Sequence, residues 1–279
     1  MTTIVIPAHN EARVIGRLLR QLVPAPSASE FKVIVVANGC NDHTATMAAA
    51  YGPCVQVISI PVASKHAAMV AADAVAVGFP RIYVDADVEL SDHDVRALTA
   101  ALSQPGVLVA APERVLDVRG RPWPIRWYYD VWARLPEARR ALWGRGVIAV
   151  NGAGQRRIAL LPPLLADDLA ASLSFLPGEQ VIVADAHVTI HAPRTLGDLL
   201  RRKVRSATGI AQLNTNGTMA GAGPRTRVPD LAAIARAEVR MIPRVAVFLV
   251  IVCFARLRAA WIVRNDDFAT WLRDDSSRA

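Results

Sequence analysis

The sequence predicts an α/β fold: a Rossmann-like, mostly parallel sheet with helices on both faces, followed by a C-terminal helical extension. Three observations carry this prediction. Short continuous Val/Ile runs recur through the first 112 residues, as expected for strands buried on both faces. Stretches of helical periodicity separate them, the alternation that builds parallel crossover units. Polar clusters follow the runs, at the carboxyl ends of strands where ligands of such sheets sit.

Taken in order, Ile4–Pro7 is a short buried strand, and Ala12–Leu22 a helix with Asn10 as its N-cap. Lys32–Ala37 is the second strand and Asp42–Tyr51 the next helix. Val55–Ile60 is the third strand, followed by a helix over Lys65–Val77. Ile82–Val84 and Val107–Ala111 are the fourth and fifth strands, with a helix over Asp92–Leu102 between them. Three polar clusters should therefore meet along one sheet edge: His9-Asn10-Glu11, Asn38-Gly39 with Asn41-Asp42, and Asp85 with Asp87.

The second half is less regular. Pro122–Trp143 is rich in aromatics and arginine, and Val147–Val150 leads into Asn151-Gly152-Ala153-Gly154. Gln180–Val188 reads as a strand, Leu196–Thr208 as a helix and Asn214–Arg227 as a mobile loop. Val245–Ala255 is wholly apolar but shorter than the roughly 20 residues of a membrane span. A buried helix and an interfacial membrane helix, with Arg244, Arg256 and Arg258 at the headgroups, both fit it. No clean linker appears, so the expected organisation is one domain over 1–210 and an extension over 211–279.

Composition narrows the function classes. At 53% hydrophobic and 20% charged, the chain folds and is not disordered. Three dispersed cysteines have no metal-ligand spacing and suit a reducing compartment. Met1-Thr2-Thr3 lacks a basic start, and Pro7, His9, Asn10 and Glu11 break the first apolar run, so a cytoplasmic location is expected and no signal peptide. The net charge of +8 suits phosphates, nucleic acid or an anionic membrane, although a solvated face is the plainer account of any single arginine. No nucleic-acid module is recognisable, so no nucleic-acid partner is expected. No Gly-x-Gly-x-x-Gly follows the first strand, which argues against a nicotinamide dehydrogenase.

Asp85-Ala86-Asp87 ends the run Arg81–Val84. Two carboxylates at a strand end can serve a divalent cation, which can in turn hold a diphosphate. Capping of the next helix is the competing role, for which Ser91 or Asp92 is better placed.

Five segments together resemble a family 2 glycosyltransferase of GT-A fold: Ile4–Glu11, Val35–Asp42, Ser64–Ala68, Val84–Asp87 and Asp167-Asp168-Leu169. A sixth match runs from Ala186-His187-Val188 through Pro193–Leu196 to Arg205 and Gly209, so the resemblance covers about residues 3–210 in the family's order. It implies a metal-dependent, inverting transferase that uses Mg²⁺ or Mn²⁺ and moves one sugar from a nucleotide-diphosphate-sugar to a hydroxyl acceptor. In that resemblance Pro7, Asn10 and Glu11 hold the nucleoside, with Glu11 at the base or ribose. Asn38 replaces the usual aspartate; its amide both accepts and donates, which leaves the base open. Asp42 caps a helix. Lys65 reaches the nucleotide or a phosphate, or is simply solvated, and His66 replaces the second glycine of Gly-Lys-Gly. Asp85 serves nucleotide and metal, and Asp87 the metal. Asp167 and Asp168 resemble the Glu-Asp pair whose second carboxylate is the general base; an N-cap pair is the alternative. His191, ahead of His187, matches a further metal ligand. Of Gln-x-x-Arg-Trp only Arg205 remains, which favours single-sugar transfer, with Arg202 and Arg205 on the diphosphate or an acidic acceptor. Trp123, Trp127, Tyr128 and Trp143 are acceptor-stacking or core residues. The basic second half and the apolar run suit a lipid-linked or cell-envelope acceptor and a peripheral membrane contact. A transferase-like protein that binds nucleotide-sugar without turnover is the alternative.

Overall fold

The structure, a computed structural model, describes residues 1–23, 30–162, 167–215 and 226–264. Its first half alternates β1 (Thr2–Ala8), α1 (Ile15–Leu22), β2 (Phe31–Asn38), α2 (Thr44–Ala49), β3 (Val55–Ile60), α3 (Lys65–Val75), β4 (Arg81–Val84) and α4 (Asp92–Ala101). Then follow β5 (Val109–Asp117), α5 (Trp123–Trp132), α6 (Pro136–Arg140), β6 (Val147–Val150), α7 (Gly152–Ala159), α8 (Asp167–Leu173) and β7 (Gln180–His191). The chain continues through α9 (Leu196–Thr215), α10 (Val228–Ala237) and α11 (Ile242–Arg264).

Seven strands form one sheet in the order β3-β2-β1-β4-β6-β5-β7. Pairing is parallel throughout β3-β2-β1-β4 and between β5 and β7, whereas β6 runs antiparallel to both neighbours. The expected mostly parallel sheet is therefore present, with β6 as the exception.

Alternation of side chains across the pleat explains the continuous apolar runs. Ile4, Ile6, Val33 and Val35 face α1 and α4, where Leu18, Leu19, Val95 and Leu98 complete one core. Val5, Ile34 and Val36 face the other way, onto Ala68 and Ala72 of α3. Each Val or Ile buried this way contributes about 1.5–3 kcal/mol. A further core joins α5, α9 and α11 through Tyr128, Leu199, Phe248 and Ile251, with Tyr128 and Phe248 stacked at 5.0 Å. Tyr128 is thus a core residue, while Trp123 is 58% exposed.

Two expectations shift, and a further helix appears. The first helix begins at Ile15 and not at Ala12, with Val14 as an N-cap lacking a side-chain bond, because Asn10 takes a left-handed φ of +53° and turns away from the helix axis. Asn151 opens a helix, its side chain accepting from Gly154 N at 2.9 Å. The helix expected over Leu196–Thr208 continues to Thr215, and of the expected loop 214–227 residues 216–225 lie outside the described residues.

Candidate active site

The ends of β1 and β2 meet as expected for adjacent parallel strands. Asn10 Oδ1 accepts from Asn41 N at 2.9 Å, and His9 Nδ1 lies 2.6 Å from Asn38 O. Asn38 is buried, and its Nδ2 donates to Ala8 O at 3.0 Å and Val36 O at 3.3 Å. Its amide nitrogen thus ties β1 to β2. Gly39 follows with φ +57°, and a Cβ there would lie 2.7 Å from both Cβ and N of Ala63. Asp42 does not supply the expected cap: the N-cap of α2 is His43, without a side-chain bond, and Asp42 sits one residue earlier, where Oδ1 accepts from Thr44 N at 3.0 Å and Oδ2 from Ala12 N at 3.2 Å. Glu11 is buried, its N donating to Thr44 Oγ1 at 2.8 Å.

Beyond β4, Asp85 N donates to Gly146 O at 2.7 Å. Asp85 Oδ1 pairs with Lys65 Nζ at 2.9 Å, both side chains being about a third exposed or more. Lys65 is placed by the start of α3, where Ser64 caps the helix by accepting from Ala67 N. Asp168 Oδ2 accepts from Gly144 N at 2.7 Å, and Oδ1 from Leu169 N at 2.8 Å. The Asp85 backbone and the Asp168 carboxylate are thus both tied to the segment Gly144-Arg145-Gly146. Both glycines have φ +68°, a backbone conformation that costs other residues about 1–2 kcal/mol. A Cβ on Gly146 would lie 2.6 Å from Val88 Cγ1 and 3.4 Å from Asp85 Oδ2. Arg145, buried, fixes the segment by donating to Ala141 O, Pro112 O and Arg139 O, each at 2.8 Å.

A cavity of about 620 Å³ opens here. Of the residues expected from sequence, Pro7, Lys65, Asp85, Asp168 and Arg205 line it. Asn10, Glu11, Asn38, Asp87, His191 and Arg202 are not among its lining residues. Asp167 opens α8, and its side chain lies outside the described residues. Gly144, Gly146, Asp73, Tyr83 and Gln155 line the cavity without having been singled out in the sequence. Tyr83 donates to the Asp73 carboxylate, which also accepts from Arg81 at 2.8 Å and Gln155 at 3.1 Å. Burial, with the Asp73 charge beside it, pushes the Tyr83 phenol well above its ordinary value. The one sequence signal for the missed segment is a Gly-x-Gly directly before a Val/Ile run.

The remaining candidates are held by bonds of their own. His191 Nε2 lies 2.7 Å from Glu89 Oε1 and its Nδ1 3.2 Å from Asp117 Oδ2. A cation could take either ring nitrogen only by displacing one of these carboxylates. Burial alone would raise Glu89, but bonds from His191 and Gln21 and the Arg17 charge outweigh it and hold its carboxyl below the usual range. His187 is exposed, its N donating to Asp94 Oδ1 at 2.9 Å. Arg114 stacks 4.2 Å over Trp132 and donates to Gly144 O at 2.9 Å, gripping the same segment as Asp168. Next to Arg202, Lys203 faces the rings of Tyr128, Tyr129 and Trp132 at 5.0, 6.0 and 5.4 Å. Burial first, then the like charges of Arg202 and Arg114, pulls its ammonium from 10.5 down to about 7.

For a divalent cation, Asp85 and Asp87 offer hard oxygen donors on either side of the buried Ala86. The glycine at 146 keeps a Cβ from approaching Asp85 Oδ2 to 3.4 Å. No group of three or more His, Cys, Asp or Glu is gathered for a metal among the described residues. The two carboxylates by themselves are the kind of donor that Mg²⁺ or Mn²⁺ takes, with waters and phosphate oxygens filling the rest of the shell.

The family model described as glycosyl transferase family 2 matches residues 3–158, more than half of the chain. The chain belongs to glycosyl transferase family 2. The matched span contains β1 through β6, Lys65, the Asp85–Asp87 pair and the Gly144–Gly146 segment. No curated protein matches the chain. Among solved structures, a mannosyltransferase from Pyrobaculum calidifontis in complex with GDP-Man and Mn²⁺ is similar at 19% identity and a TM-score of 0.61, over 97% of this chain and 80% of that one. Glucosyl-3-phosphoglycerate synthase from Mycobacterium tuberculosis, in complex with Mn²⁺, UDP-Glc and phosphoglyceric acid, is 21% identical with a TM-score of 0.56, over 77% of this chain and 79% of that one. Mannosyl-3-phosphoglycerate synthase from Rubrobacter xylanophilus is 18% identical with a TM-score of 0.53, over 81% and 77%. At these identities the likeness is one of fold, and it places this family 2 member on the GT-A architecture.

Proposed function

We propose that this family 2 member is a metal-dependent, inverting, non-processive glycosyltransferase. It would move a single sugar from a nucleotide-diphosphate-sugar to a hydroxyl acceptor. The observation that carries the reading is that Asp85, with Lys65, and Asp168, with Arg205, line one cavity. The Mn²⁺ and nucleotide-sugars named with the similar structures support the same ligand class.

In this reading Pro7, Asn10, Glu11 and Asn38 belong to the nucleoside end, at the carboxyl edge of β1 and β2. Asp85 and Asp87 hold Mg²⁺ or Mn²⁺, which when bound stabilises charge on the departing nucleoside diphosphate. The bracing of His191 by Glu89 and Asp117 makes it a support of this region more than a ligand. Lys65, held by Asp85, can turn to a phosphate oxygen, and Arg205 can pair with the diphosphate or an acidic acceptor. Asp168 takes the proton from the acceptor hydroxyl as its oxygen attacks the anomeric carbon, with inversion. The N–H groups of Gly144 and Leu169 orient this carboxylate, and Asp167 assists from the neighbouring position. The acceptor is lipid-linked or part of the cell envelope, met at the cytoplasmic face of the membrane. Residues 1–210 form the catalytic domain and 211–279 the extension.

A panel of UDP-, GDP- and dTDP-sugars, read by thermal stabilisation with and without Mn²⁺ and by sugar transfer, tests the proposal. Stabilisation by one donor with cation, followed by transfer, is expected. No binding and no transfer across the panel would sink it. A second reading, nucleotide-sugar binding without turnover, draws on the two backbone N–H groups that already occupy Asp168. Donor stabilisation that never leads to transfer, and is indifferent to Asp168→Asn, favours that reading.

A further inference from the structure

Helix α11 is mostly apolar on every side, yet among the described residues the chain covers only one side of it. Phe248, Ile251, Ala255, Ala259 and Ile262 are buried, facing α5 and α9. Val250, Phe254, Leu257 and Trp261 are 69, 52, 74 and 52% exposed. At 3.6 residues per turn these four fall on one stripe, opposite the buried side. The mean hydropathy of the most apolar window of Val239–Arg264 is 2.2, a value shared by core helices and by helices in contact with lipid. A helix with this composition is normally buried in a core or in lipid.

We infer that α11 docks lengthwise on an anionic bilayer surface, its Val250–Trp261 stripe in the headgroup–acyl boundary. Charge selects the partner. Arg256 and Arg258 are exposed, form no ion pair among the described residues, and flank the stripe on opposite sides by helical geometry. Arg258 lies 4.6 Å over the Trp261 ring, the pairing of aromatic belt and cation that suits a headgroup layer. A second copy on the stripe would bring like-charged flanks together, on a chain of net charge +8. Spanning is ruled against by packing: the opposite side of α11 holds α9, which carries Asp198, Arg201, Arg202 and Lys203.

The same contact reaches the cavity. Val204 of α9 packs on Ala255 and Ile262 of α11, and the next residue, Arg205, lines the cavity. One helix thus separates the docked face from the proposed transfer site. Resting on the glycosyl-transfer reading, this makes the acceptor one presented at the bilayer surface.

Co-sedimentation of the full chain with vesicles of phosphatidylcholine, alone and mixed with phosphatidylglycerol, tests the docking without any activity. The chain is expected to sediment with the anionic vesicles, less so in high salt. Arg256→Gln with Arg258→Gln should weaken that binding by about tenfold or more. Val250→Ser with Leu257→Ser should abolish it, with a cooperative thermal unfolding transition near that of wild type as the check on folding. Wild-type protein that stays in the supernatant, or variants that sediment like wild type, would overturn the inference. So would a stable dimer in light scattering that the serine pair dissociates, since the stripe would then be covered by a second copy. If docking holds and no donor binds, the glycosyl-transfer reading fails alone and the surface stands.

Discussion

Asp85 and Asp168 are joined through three residues: Asp85 N bonds to Gly146 O and Gly144 N bonds to Asp168 Oδ2, each at 2.7 Å. Far apart in sequence, the two residues share one support. The backbone of Asp85 and the carboxylate of Asp168 are thereby held on the Gly144-Arg145-Gly146 segment, which Arg114 and Arg145 clamp in turn.

Asp168→Asn should abolish transfer while leaving donor binding intact. The asparagine oxygen can still accept from Gly144 N, so the frame survives. A loss of about 10²–10⁴ in transfer rate is expected for a general base. Calorimetric donor affinity beside a transfer assay checks it, and an unchanged rate would remove Asp168 from the chemistry.

Gly146→Ala should cost about 2 kcal/mol and impair cation-dependent donor binding, because the new Cβ meets Val88 and Asp85 at a φ of +68°. Gly178→Ala, with open space around it and no positive φ, should leave both properties near wild type. Urea unfolding and donor titration of the two variants make the comparison.

Lys65→Met separates binding from stability. Its pair with Asp85 is partly exposed, so thermal stability should move by less than about 1 kcal/mol. Affinity for a nucleoside diphosphate should fall by about tenfold if the ammonium turns to phosphate. Equal affinities in a titration would return Lys65 to a solvated role.

Lys203 gives the stability a pH dependence of definite sign. Its folded value, about 7, lies below the ordinary 10.5, so below pH 7 both folded and unfolded chains carry the proton and the cost of enclosing it is full. Between these values the unfolded chain binds a proton that the folded chain has released, and stability rises with pH. Lys203→Met should remove this rise, a difference of about 3–4 kcal/mol between pH 7 and pH 10. Denaturant unfolding across that range reads it, and parallel curves for the two proteins would refute it.

Strand positions and the mostly parallel sheet were legible because the signals are local. Ile4, Val5 and Ile6 are apolar in succession since adjacent residues enter opposite cores, a pattern that needs no knowledge of distant contacts. The reversed direction of β6 was not legible, since Val147–Val150 reads the same either way. Helix α1 was placed too early because Asn10 looks like a cap in sequence, while its side chain goes to Asn41 across the sheet edge.

Sequence alone determined the residue types and their order: a carboxylate pair after β4, a lysine at the start of α3, a second carboxylate pair opening α8, and an apolar run near the end. Tertiary structure decided which of them share a space. It put Asp85, Lys65, Asp168 and Arg205 on one cavity, closed Asn38 into the β1–β2 frame, and wedged His191 between Glu89 and Asp117. Among the described residues it also left one side of α11 uncovered. The reason is physical. Local patterns are set by the backbone's repeat, which a short stretch of chain contains in full. Proximity and burial depend on how distant elements pack, and no single segment carries that information.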